Sequence, residues 1–554
     1  MTLTIADIER WDAGSVREVF HAASSRAQAV QDAANGLATL PAFTTWGGEA
    51  AEAAKDAIGQ TRRDLDAHGQ EALAVANAAR RAADEIERIK SELTTLKAEA
   101  EALGMEIDPV TGRVVAGPGF SGNPMELLLK HQQLQPRVDA LIAEANMVDM
   151  SLANAIEMAG GSTPIPESPH SNDPEVQAAL NGAVPEDPQQ FNDLWDRLTK
   201  EQRDWLFEQD PTIGNNPGMP WGSADDVGKD YYNRIHLDQL QAANQAELDR
   251  LAAERPGWVD GSPGTPNPNP PGFREWKQQW DKANQQQQMY RQVDKALESA
   301  DGMPRLLGVL DDQGHAAVAI NNPDTATRTA TFVPGTGQDL TRLEFSTQKS
   351  EQMLYAALEA DPTLAAGDVS VTTWMGYDRP MNIITDAPST SYAHDGAGAL
   401  SGFQAGLRVT HDDATTGGTS VNTVIGHSYG STLVGAAGLD GNHLDANNVV
   451  AVGSPGILAE NAGDLSLTPG AHVFATRAEN DIIGIATYAT LGPDPMAAAF
   501  GATPFEAAPG PAGLFGTPTV DAHSSYWSAG NPALINMGRI IAGQTNVTPP
   551  TFTP

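Results

Sequence analysis

"TVIGHSYGSTLVGAAG", residues 423–438, sets a serine between two glycines directly after an apolar run. A strand ending at Ile425 and a helix beginning just past Ser428 put that serine on a tight strand-to-helix turn. Gly426 and Gly430 stand two residues to either side, where such a turn leaves no room for a Cβ. The turn exposes the serine Oγ, and the following helix offers its first N–H groups to negative charge developing there. The stretch predicts a fold in which strands alternate with helices, and a candidate nucleophile in Ser428.

The alternation extends outward from this turn. From about residue 306, "HAAVAI", "TATFVPGTG", "DVSVTTWMGY", "NNVVAVGSPG" and "AHVFATRAEND" read as further strands, with "TRLEFSTQKSEQMLYAALEA", "AGALSGFQAGL" and "GSTLVGAAGL" as helices between several of them. This pattern predicts a mainly parallel sheet flanked by helices, with its ligand site at the carboxyl ends of the strands. A serine there needs a base, and the chain order expected on such a sheet is nucleophile, acid, histidine. Beyond "AHVFATRAEND" the only histidine is His523. Glu479 and Asp481 both fall just past that strand, where a carboxylate reaches an imidazole Nδ1–H; Asp481 is preferred and Glu479 is the alternative acid. Asp440, Asp445, Asp464, Asp494 and Asp521 read as helix ends, caps and turns. For an oxyanion, Tyr429 N–H supplies one donor and Thr336 N–H the second, on a Gly335-Thr336-Gly337 loop where glycines permit close backbone approach.

At 554 residues the chain exceeds what one core serves, so at least two domains are expected. A net charge of −37 repels a phosphate backbone and argues against a nucleic-acid partner. The absence of cysteine excludes disulfides, thiolate nucleophiles and cysteine-based zinc sites. No H-E-x-x-H and no histidine pair at ligand spacing occurs, so neither a metal nor another cofactor is expected. The amino terminus has no general signal-peptide pattern and no stretch is apolar enough to span a bilayer.

Residues 1–160 read as an all-α helical-hairpin domain. It bends near "LATLPAFTTWGGEAAEAA", and an apolar seam runs through Ile86, Ile89, Leu93, Leu96, Ala100 and Leu103. A hairpin-like "MEIDPVTGRVV" and a helix from about 124 to 158 complete it. Residues 161–185 read as a Pro/Ser-rich linker, 186–305 as a helical lead-in, 306–545 as the α/β core and 546–554 as a tail.

Two resemblances follow from these motifs. "FVPGTG", "WMGYDRP", "VIGHSYGSTLVG", "GSPG", "END" and "HSSYW", in that order, resemble the α/β-hydrolase domain of unknown function common in actinobacterial proteins, itself similar to cutinase-like serine esterases. "LWDRLTKEQRDWLFEQDPTIGNNPGMP" and "YYNRIHLDQL" look like that family's helical lead-in. The resemblance implies Ser428 as nucleophile, Asp481 as acid, His523 as base and the Gly335-Thr336-Gly337 loop at the oxyanion. It implies an esterase- or lipase-like enzyme passing through an acyl-enzyme. An acyl ester is the implied substrate. The Ala-, Gly- and Pro-rich stretch 482–522 departs from the family pattern and reads either as a lid or acyl-binding loop or as an irregular surface segment. An acyltransferase using the same triad is the chemical alternative. Trp46-Gly47-Gly48 between two helices resembles the WXG helical-hairpin family of type VII secretion. That implies a rival role as an interaction protein whose residues 1–160 bind a helical partner. Export by that route and a cytoplasmic location both stay open; the family's Tyr-x-x-x-acid signal has its spacing at Tyr290 to Asp294, away from the hairpin.

Overall fold

A computed structural model of the chain describes residues 3–38, 49–120, 124–159, 169, 171–222, 227–259, 272–299, 301–382, 386–483 and 491–552. Two compact units emerge, Met1–Ala183 and Val184–Pro554. The Trp46-Gly47-Gly48 bend lies outside the described residues.

The first unit is helical: α1 (Ile5–Arg10), α2 (Ala13–Ala38), α3 (Glu49–Ala102), α4 (Pro124–Ala159) and α5 (Pro174–Leu180), with a small antiparallel pair β1 (Met105–Ile107) and β2 (Val114–Ala116). Ile89, Leu93, Leu96 and Ala100 of the apolar seam are buried against Ile5 and Ile8 of α1 and Leu134, Val138 and Leu141 of α4. The seam that motivated a helical partner is therefore occupied within its own unit. Helix α5 stands in the stretch read as linker. Asp173 Oδ1 accepts from Glu175 N at 2.9 Å and Val176 N at 3.3 Å, and Pro174 sits where no N–H is needed, so a short capped helix forms in a proline-bearing segment.

The second unit opens with α6 (Pro188–Trp195), α7 (Lys200–Gln209), α8 (Lys229–Glu254) and α9 (Phe273–Leu297). Helix α8 is tied to the sheet by polar groups: buried Asn233 Nδ2 donates to Leu307 O at 3.2 Å and half-buried Asp230 accepts from Leu307 N at 2.7 Å. Tyr290 is buried beside Leu237 and Val293 whereas Asp294 is exposed, so the Tyr290–Asp294 spacing runs from the inner to the outer side of α9.

The sheet follows: β3 (Arg305–Leu310), β4 (Ala316–Ile320), β5 (Arg328–Val333), α10 (Leu343–Ala360), β6 (Val369–Met375), α11 (Ser391–Thr410), β7 (Val421–His427), α12 (Tyr429–Ala436), β8 (Asn448–Val452), β9 (His472–Thr476), β10 (Thr503–Pro504) and α13 (Pro532–Ile541). Eight strands lie in the order β10-β9-β8-β7-β5-β6-β4-β3, parallel from β10 to β6 and antiparallel across β6-β4-β3. Every residue of β4, β6 and β8 is buried, as expected for strands covered on both faces. One apolar layer holds residues of α11 and α12, including Leu400, Phe403 and Leu433. The opposite layer holds residues of α10 and α13, including Met353, Leu354, Met537 and Ile540. After β5 the chain crosses to β6 on one side, and after β6 it returns to β7 on the other. That reversal falls at β5 and β7, beyond whose carboxyl ends sheets of this kind hold their ligands.

Candidate active site

Ser428 occupies the first position past β7, at φ 56° and ψ −132°. Its own N–H donates to Val452 O at 2.9 Å, pinning the turn to β8. A left-handed conformation at a residue with a side chain costs about 1–3 kcal/mol and persists only where the surroundings leave no alternative. Here they leave none. A Cβ at Gly426 would fall 2.4 Å from Ser431 Cα, and one at Gly430 would fall 2.1 Å from Val333 O. Strand β5 and the first turn of α12 thus close on the serine from two sides.

The loop after β5 closes the third. A Cβ at Gly335 would lie 2.8 Å from Ser428 Cβ and 2.8 Å from Tyr429 N, so this loop touches the turn backbone to backbone. Tyr429 opens α12, where the first N–H groups have no intrahelical acceptor. Thr336 N–H has no hydrogen-bond partner among the described residues, whereas Gly337, at φ 72°, donates its N–H to Pro380 O at 3.0 Å. Tyr377 steadies the loop from behind by donating its hydroxyl to Pro334 O at 2.9 Å.

Asp481 and His523 meet although 42 residues separate them. His523 Nδ1 lies 2.9 Å from each Asp481 carboxylate oxygen, and both side chains are buried. The chain between them leaves and returns at one place: Asp481 bridges to Thr519, and Thr519 N–H donates to Asn480 O at 2.8 Å. Arg477 Nη1 pairs with Asp494 Oδ2 at 2.5 Å, so Asp494 ties that excursion to the end of β9 rather than capping a turn alone. Glu479 is exposed and makes no hydrogen bond among the described residues.

The Asp481–His523 pair stands beside the serine turn. A Cβ at Gly453, one residue past β8, would lie 3.2 Å from His523 Cε1 and 3.0 Å from Asp481 Oδ2. The His427 ring, adjacent to Ser428 in the chain, has its centroid 4.8 Å from that of His523. Ser428 Oγ and His523 Nε2 each have no hydrogen-bond partner among the described residues. Two side chains that residue patterns did not single out complete the surroundings, although both stand inside quoted motifs. His427 Nε2 lies 2.9 Å from His523 O, joining the serine turn to the histidine segment. Tyr526 donates its hydroxyl to Asp481 Oδ2. Burial, with His523 and Lys349 nearby, holds the His427 imidazole well below the ordinary histidine value. Burial lowers Lys349 to about 8; its Nζ stands 4.4 Å from the Trp527 ring centroid. Among the described residues, no group of three or more His, Asp or Glu side chains is arranged to hold a metal ion.

Residues 311–493 match the family described as alpha/beta hydrolase. With the mostly parallel sheet between two helical layers, the carboxyl-terminal unit carries an α/β-hydrolase fold. Residues 41–184 match a second family, described as uncharacterised protein Rv0964c. Two curated relatives, the uncharacterized proteins Rv2079 and MT2140 of Mycobacterium tuberculosis strains H37Rv and CDC 1551, are each 35% identical over 259 residues, covering 42% of this chain. The chain spans 37% of the length of those relatives. Among solved structures, esterase PE8 overlaps 30% of this chain and 75% of its own at 16% identity and a TM-score of 0.21. An arylesterase overlaps 50% of this chain and 99% of its own at 15% identity and a TM-score of 0.24. None of these likenesses bears on the cutinase-like or type VII secretion resemblances.

Proposed function

We propose that the carboxyl-terminal unit is a serine hydrolase that cleaves an acyl ester through an acyl-enzyme. The observation that carries this reading is the convergence at the carboxyl ends of β5 and β7. Ser428 is held in a left-handed turn against Tyr429 N–H and the Gly335 loop, with the hydrogen-bonded His523–Asp481 pair alongside.

In the proposed reaction neutral His523 takes the Ser428 hydroxyl proton at Nε2 as Oγ attacks the ester carbonyl carbon. Asp481 holds Nδ1–H, fixing the tautomer and stabilising the imidazolium that forms. The carbonyl oxygen becomes an oxyanion that accepts from Tyr429 N–H and Thr336 N–H. The imidazolium returns its proton to the departing alkoxide, the C–O bond breaks, and the acyl group stays on Ser428. Water then gives a proton to His523, attacks the acyl carbon, and Ser428 leaves with that proton. Nucleophile–base bonds are often open in a free enzyme and tighten on substrate binding, which accommodates the unbonded Ser428 Oγ.

A fluorophosphonate probe tests the reading. Wild-type protein should label and hydrolyse a soluble short-chain ester. Ser428→Ala should abolish labelling and lower kcat by about 10⁴-fold or more. A wild type that does not label, or equal labelling of the variant, refutes the proposal.

A further inference from the structure

Tyr526 is fully buried three residues beyond His523. Its hydroxyl oxygen accepts from Ala478 N–H at 3.1 Å, which leaves its single proton to go to Asp481 Oδ2. The same carboxylate receives Ile483 N–H at 2.8 Å on Oδ1 and the His523 ring on both oxygens. Burial and the adjacent Asp481 charge push the Tyr526 phenol well above its ordinary value, so it remains a donor wherever the histidine titrates. Of the other charged or titratable groups near the pair, Glu479 and Asp521 stand two residues from Asp481 and His523 with exposed side chains. His427 ends β7, Lys349 stands on α10, and Arg477 beyond β9 is paired with Asp494. Among the described residues, Tyr526 and His523 are the side chains that hydrogen-bond the Asp481 carboxylate.

We propose that Tyr526 is a positioning residue for the acid–base pair: it sets the edge that Asp481 turns toward His523 Nδ1 and draws off part of the charge that stabilises the His523 imidazolium. The inference rests on the serine-hydrolase reading and deepens it. A hydrogen bond to a carboxylate spreads its charge, so removing that bond strengthens the carboxylate's hold on the imidazolium and raises the histidine pKa.

The test is the pH profile of kcat/KM on a soluble ester, whose acid limb reports protonation of the free enzyme's base. Tyr526→Phe should move that limb upward by about half a pH unit or more, lower kcat severalfold, and change KM by less than about twofold. Replacing Tyr526 by 3-fluorotyrosine keeps volume and hydroxyl but donates more strongly, and should move the limb downward. This second protein retains the native packing and keeps the question open to test if the phenylalanine variant fails to fold. A limb indifferent to either change, or moving opposite to these directions, overturns the inference. The low-field Nδ1–H resonance of His523 in the Ser428→Ala protein gives the same comparison without turnover: Tyr526→Phe should shift it downfield, and an unmoved resonance overturns the proposal. Failure of the wild type to label or hydrolyse defeats the serine-hydrolase reading itself. An active wild type whose limb ignores Tyr526 defeats this inference alone.

Discussion

Ser428 stands in a conformation its side chain disfavours, and three neighbouring glycines hold it there by admitting backbone where a Cβ would collide. Gly335 is the most sensitive of them for chemistry. Its Cβ would point within 2.8 Å of Tyr429 N, the donor proposed for the oxyanion. Gly335→Ala should therefore lower kcat/KM by about 10²-fold or more while costing only about 1–3 kcal/mol of stability. Steady-state kinetics beside a urea melt separates these effects, and a variant with unchanged kcat/KM would count against the oxyanion assignment. Ser428 stood out in the sequence because its flanking glycines obey a spacing set by sterics. Asp481 and Glu479 were harder to separate, since both follow the same strand. The difference is where each side chain falls, one buried at 2% exposure on His523 and the other exposed. Tyr526 had no legible role, because nothing in "HSSYW" states which carboxylate its hydroxyl will meet.

Elements were legible in proportion to how fully they are covered. Strands β5 to β9 are buried, and their apolar runs announced themselves. β3 breaks register between Leu307 and Val309 at the sheet edge, and β10 pairs over two residues, so neither left a periodic trace. The β3–β4 turn yields a pH prediction. Burial opposes a charge on His315, but the carboxylates of Asp311 at 2.6 Å and Asp378 at 3.2 Å outweigh it and raise the imidazole to about 9. A raised folded-state pKa stabilises the fold fully below the ordinary histidine value near 6.5 and loses that contribution as pH rises through about 9. His315→Gln should accordingly be less stable than wild type at pH 6, with the gap closing by pH 9.5; chemical denaturation at both values measures it. The lead-in helices supply a second case. Buried Asp324 accepts from Trp221 N at 2.6 Å and opposes the charge of buried Lys229. Asp324→Ala leaves that buried N–H without its acceptor and should cost about 1–3 kcal/mol in the same assay.

For the molecule as a whole, charge and modularity matter most. A net charge of −37 creates a field that repels anions on approach. Turnover of an anionic ester should thus accelerate severalfold in kcat/KM as ionic strength rises from about 10 to 150 mM, the range over which screening shortens from about 30 to 8 Å. A matched neutral ester should change little, and a salt titration of the pair decides it. The α/β texture and the helical amino-terminal region were readable because the hydrophobic period changes near residue 306. The occupied Ile89–Ala100 seam was not, because an apolar stripe looks the same whether its partner is another protein or the next helix of its own unit. The bridge from Asp481 to Thr519 has one further consequence. It clamps the two ends of a long excursion at the place where Asp481 meets His523. Within that excursion Asp494 pairs with Arg477 and β10 joins the edge of the sheet, so its path is tied down at three places. With both of its ends stapled, a backbone nick within the excursion should leave Asp481 beside His523.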